Sequence, residues 1–101
     1  MDNATFHEIA LATVHKVALT PAIDPLLDAE KCKATMQAEA ERIWEEEARQ
    51  RNIIVTVKIE IWYHSRNQEF LLNFYEPGTE RQIIIGLDCM KWRENVRDRH
   101  G

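Results

Sequence analysis

From Ile53 to Tyr63 the chain alternates. Val55, Val57, Ile59, Ile61 and Tyr63 are apolar at every second position, and Thr56, Lys58 and Glu60 fall between them. A period of two puts the apolar set on one face of a β-strand. The β-branched and aromatic side chains suit a pleated, half-buried surface. The spacing predicts a first strand over 53–64. A polar hairpin loop, His64-Ser65-Arg66-Asn67-Gln68, leads into a second strand from Glu69 to Tyr75, with Phe70, Leu72 and Phe74 on one face. Glu76-Pro77-Gly78-Thr79 reads as a type II turn, with proline presetting φ and glycine free to take φ > 0. A third strand follows from Glu80 to Leu87, with Ile83, Ile85 and Leu87 in register. Connections this short imply an antiparallel meander, with one face on helices and the other wet.

Upstream, the period changes to that of helices. Thr5-Phe6-His7-Glu8 has the form of a capping box, so a helix is expected from Thr5 after a frayed start at 1–4. Phe6, Ile9, Ala10, Thr13, Val14 and Val17 fall on one arc of it. It should end near Thr20, because Pro21 disfavours helical geometry in the residue before it. Asp24-Pro25 is a start signal for a second helix running to about Gln50. Its inward stripe is Leu26, Ala29, Cys32, Met36, Ala40 and Ile43, with Trp44 at the edge and a possible break near Asp28. Asp88 can cap a short last helix from Cys89 to about Arg97, with Cys89, Trp92 and Val96 inward. The fold expected is α+β in the order α-α-β-β-β-α, and the 101 residues are expected to form one domain.

An apolar content of 45% with 30% charged residues describes a globular protein and excludes a disordered one. No apolar run approaches the roughly 18 residues of a membrane span. Asp2 and Glu8 flank a stretch broken by His7 and Thr13, which is not the basic-then-apolar order of a signal peptide. A cytoplasmic protein is expected. Cys32 and Cys89 stand apart from any Cys-x-x-Cys or Cys/His pattern, so both are expected as reduced, buried thiols. His7, His15, His64 and His100 have no metal spacing, and with only three glycines the chain has no phosphate loop. No cofactor and no metal are expected.

The α-β-β-β-α portion shares its element order with double-stranded-RNA-binding domains. The residues depart from that family's pattern. The last helix opens Asp88-Cys89-Met90-Lys91, with one lysine and an acid where a basic cluster is needed, and the Gly-rich stretch is absent. Shared element order is analogy of fold alone.

Two surfaces stand out. If the odd residues of strand one face the helices, then Ile54, Thr56, Lys58, Glu60, Trp62 and His64 face outward. Leu71, Asn73 and Tyr75 join them from strand two, and Gln82 and Ile84 from strand three. Trp62, Leu71, Tyr75 and Ile84 form an apolar, partly aromatic patch. Either the first helix covers it or it is an interface with a partner or a second copy. The second surface is acidic: Glu39, Glu41, Glu45, Glu46 and Glu47 crowd one stretch of the second helix. Arg42–Glu46 and Glu45–Arg49 are i,i+4 pairs. Glu41, Glu45 and Glu46 would steer a basic partner by long-range charge, while Glu47 shares the inward stripe.

The expected function is that of a small non-catalytic protein-interaction module, with a homodimer as one form, using Trp62, Tyr75, Leu71, Ile84, Glu41, Glu45 and Glu46. It would bind, and inhibit or regulate, a larger protein complex. One version is an acidic inhibitor of a nucleic-acid-processing complex, of the sort phages encode. One alternative is a nucleic-acid-binding domain using the sheet face and a tail whose Lys91, Arg93, Arg97 and Arg99 exceed Asp88, Glu94 and Asp98 by one charge. The net charge of −4 argues against it. The other is a small enzyme using Glu47 or His64 as an acid–base group.

Overall fold

A computed structural model describes residues 2–19 and 28–89. Two helices precede three strands: α1 (Asn3–Val17), α2 (Ala29–Gln50), β1 (Lys58–His64), β2 (Glu69–Tyr75) and β3 (Gln82–Asp88). The fold is α+β, and the strands form an antiparallel sheet in the order β1-β2-β3. The expected last helix and the Asp24-Pro25 start signal fall outside the described residues.

Helix α1 begins earlier than a cap at Thr5 would allow. Asp2 is the cap, and its Oδ1 accepts the Thr5 backbone N–H at 2.8 Å. An aspartate three residues before a free amide competes effectively for the capping role. That hydrogen bond, at the positive end of the helix, holds the Asp2 carboxyl below its usual range. In α2 Asp28 is the cap, its Oδ1 accepting the Lys31 backbone N–H at 3.0 Å, so the described helix starts at the expected break.

The first strand is shorter than the alternation. Residues 53–57 keep the alternating burial of a strand but carry no ladder. The physical reason is the partner's length. Strand β2 ends at Tyr75 opposite Lys58, and the chain then turns, with Glu76 N–H donating to Arg81 O and Thr79 N–H to Glu76 O. Among the described residues no strand lies beside 53–57 to pair with it, and β3 correspondingly runs Gln82–Asp88 instead of Glu80–Leu87. Gly78 takes φ +83° in the turn, as its sequence predicts.

Both helices pack on the same face of the sheet, α2 over β1 and α1 against β3. All six residues expected to line α1 are buried, as are Cys32, Met36, Ala40, Ile43 and Trp44 of α2. Phe70, Leu72 and Phe74 of the central strand meet them. The three elements are tied by aromatic rings. Phe6 of α1 stands edge-on to Trp44 of α2 at 5.2 Å, and Trp44 stacks on Phe74 of β2 at 5.6 Å. Such pairs add roughly 0.5–1.5 kcal/mol each beyond area burial. Cys32 and Cys89 are both buried.

Candidate interaction surface

The sheet face turned away from both helices is built by register. Trp62 stands opposite Leu71, which stands opposite Gly86; Glu60, Asn73 and Ile84 form the next row, and Lys58, Tyr75 and Gln82 the one after. At the hairpin end the row is His64, Glu69 and Asp88. The sequence-predicted residues Trp62, Leu71, Tyr75 and Ile84 thus come together on one face. Trp62 is 40% and Ile84 51% exposed, with Leu71 and Tyr75 half-buried between them. Helix α1 does not cover this face.

At its centre lies Asn73, which is only 6% exposed. Its Oδ1 is buried and has no hydrogen-bond partner. Leaving such an acceptor unsatisfied costs about 1–3 kcal/mol. Its row-mate Glu60 is engaged elsewhere, accepting the Tyr75 hydroxyl at 3.2 Å. Partial burial, and then that carboxylate, push the Tyr75 phenol above its usual range. Gly86 leaves a gap beside Leu71, and Glu69 fills it: a Cβ at Gly86 would lie 2.7 Å from Glu69 Oε2.

The two sheet edges differ. On β1, the Ile59 carbonyl points outward and accepts Gln37 Nε2 from α2 at 2.6 Å, so the helix occupies part of that edge. On β3, the bonds Glu76 N–H to Arg81 O and Cys89 N–H to Gln68 O fix the phase of the ladder. Alternation then turns the backbone groups of Gln82, Ile84 and Gly86 toward the edge that no described strand pairs. Natural edges are usually covered or charged, because bare ones recruit strands.

The acidic residues of α2 lie on the helix layer, apart from the Trp62 patch. Glu41 accepts Gln37 Nε2 at 2.8 Å, and Arg42 bridges Glu39 and Glu46 at 2.9 and 3.3 Å. The expected Glu45–Arg49 pair does not form within 4.0 Å; both residues instead line a groove with Trp44, Asn52, Ile53 and Ile54. The Trp44 indole N–H is buried there without a partner.

Glu47 has a structural role. Its side chain is 6% exposed and is held between Lys16 of α1 and Arg51, the latter at 2.7 Å. Those two hydrogen-bonded cations keep its carboxyl below the usual range against the opposing effect of burial. His64 is exposed at the hairpin end. Among the described residues no three His, Cys, Asp or Glu side chains gather as a metal site would require. No described helix is long and apolar enough to cross a membrane.

Sequence reading placed Asn73 on this face but missed its burial. An asparagine in mid-strand between Leu72 and Phe74 was the available signal, because strands are depleted in asparagine. Nothing local foretold the Lys16–Glu47 or Gln37–Ile59 contacts, which join separate elements. No protein-family model, curated protein or solved structure matches the chain.

Proposed function

We propose that the protein is a non-catalytic interaction module, acting in the cytoplasm, that binds a larger protein through its open sheet face. The observation that carries this reading is the pairing of an exposed Trp62–Leu71–Ile84 surface with a buried, partnerless Asn73 Oδ1 at its centre. Scattered exposed apolar residues are ordinary, but a contiguous patch marks a contact. An aromatic anchor ringed by charged groups is the composition of an interface core and rim. The open β3 edge beside the patch adds backbone groups that a partner can engage. Inhibition or regulation of the bound complex is the consequence such a module would have.

The enzyme alternative is weakened because Glu47 is already neutralised by two cations and therefore poorly suited to move a proton. The nucleic-acid alternative places phosphates against Glu60, Glu69 and Asp88, three carboxylates on the proposed face.

The test is affinity capture from the native host, with quantitative mass spectrometry, using wild type, Trp62→Ala and a control substituted at exposed Lys31 on α2. A partner retained by wild type and control but lost by Trp62→Ala supports the reading. A partner retained equally by all three contradicts it.

A further inference from the structure

The chemistry of the open face specifies what docks on it; this inference rests on the reading of that face as an interface. Among the described residues of these rows the charged side chains include Lys58 and, even leaving Asp88 aside, the carboxylates Glu60 and Glu69, so the described rim is net negative. Its centre offers an acceptor, Asn73 Oδ1, that lacks a donor. One row away stands the half-exposed indole of Trp62.

An acceptor, a carboxylate and an aromatic face within neighbouring rows are what a guanidinium engages together. It carries five donors in a planar fork and a delocalised charge that stacks on rings. An ammonium matches the charge but not the planar stacking. A second copy fits poorly, because a two-fold interface sets a surface against itself. That would oppose carboxylates to carboxylates and one orphan acceptor to another.

We infer that the open face docks a basic segment of a protein partner, with one arginine stacked on Trp62 and donating to Asn73 Oδ1 and Glu60. Glu60 is exposed and now holds the Tyr75 hydroxyl. Releasing that bond frees its carboxylate for the guanidinium on the row it shares with Asn73.

The test titrates the full chain, labelled with nitrogen-15, with short Gly/Ser peptides that differ only in one central residue: Arg, Lys or Glu. The Trp62 indole and Asn73 side-chain amide resonances report the site, and sedimentation velocity on the same samples reports self-association. The expected result is saturable shifts of both resonances with the Arg peptide, which binds at least about threefold tighter than the Lys peptide. Trp62→Ala and Asn73→Val should each weaken it by about fivefold or more, with folding checked by thermal melts.

Equal Arg and Lys binding that ignores both substitutions overturns the arginine seat. So do shifts confined to Glu41, Glu45 and Glu46. Self-association that protects Trp62 while no peptide binds makes a second copy the occupant: the interface reading then stands and the arginine inference falls. A monomer that shifts with no peptide overturns the inference, while the capture experiment still tests the interface separately.

Discussion

Asn73 stands directly opposite Glu60 on the sheet face away from both helices, yet the two do not hydrogen-bond. Glu60 takes the Tyr75 hydroxyl, and the Asn73 Oδ1 is left buried without a donor. A central-strand position that tolerates this cost carries a polar group at the expense of stability, as binding sites commonly do.

That relationship predicts a trade-off. Asn73→Val removes the unsatisfied acceptor and places a better strand former at the position. It should stabilise the free protein by about 1 kcal/mol, raising Tm by roughly 4–8 °C. Asn73→Asp buries a charge opposite Glu60 and should destabilise by about 1–3 kcal/mol. Thermal melts of the two variants check both signs.

Glu47 links the two helices to each other through Lys16 and Arg51, and its lowered pKa fixes the pH dependence of that link. A carboxyl depressed in the folded state adds stability in full above its unfolded value, here 4.5, and loses it as pH falls through the lower folded value. Glu47→Gln should therefore lower Tm at neutral pH, by about 1–2 kcal/mol of stability. The gap to wild type should close as pH drops below 4.5. Melts across pH 2–7 check it; a gap that widens in acid is the contrary result.

The two described glycines should respond in opposite ways. Gly78 sits at φ +83°, so Gly78→Ala strains the turn and should cost about 1 kcal/mol. Gly86 has no such φ, and the atom a Cβ would meet is the tip of the flexible Glu69 side chain. Gly86→Ala should be neutral or stabilise by up to about 1 kcal/mol as Glu69 moves aside. Denaturant midpoints at constant m-value separate the two.

The acidic face of α2 should act through its field alone. Reversing Glu41, Glu45 and Glu46 to Lys breaks only exposed contacts, such as Arg42–Glu46, and should cost less than about 1 kcal/mol of stability. It should slow association with a basic partner at low salt and leave dissociation nearly unchanged. Stopped-flow rates between ~50 and ~300 mM salt check this; wild-type association insensitive to salt would count against steering.

Much of the architecture was legible because it follows from period. The change from a period near 3.6 to a period of two located the helices and the strands, and alternation assigned Trp62, Leu71, Tyr75 and Ile84 to one face. Strand ends were less legible. Residues 53–57 alternate as a strand does, but a ladder needs a partner, and where β2 ends is a property of another segment. Which face α1 covers was undecided, because its apolar arc would fit either. The Phe6–Trp44–Phe74 stack that settles it joins three elements far apart in sequence. The burial of Asn73 likewise depends on neighbours supplied by other strands.

The most direct measurement of the central claim, that the open face is a working surface and not a second core, is Trp62→Ala studied by thermal melt and by binding to the captured partner or the Arg peptide. Because Trp62 is 40% exposed and the opposite face of β1 holds Ile59 and Ile61 in the core, Tm should fall by less than about 4 °C. Binding to the captured partner should weaken by about 2 kcal/mol or more, which is over tenfold in Kd, and binding to the Arg peptide by about fivefold or more. A variant that unfolds, or melts more than about 8 °C lower while any surviving fold binds as wild type does, would make Trp62 a core residue and contradict the account.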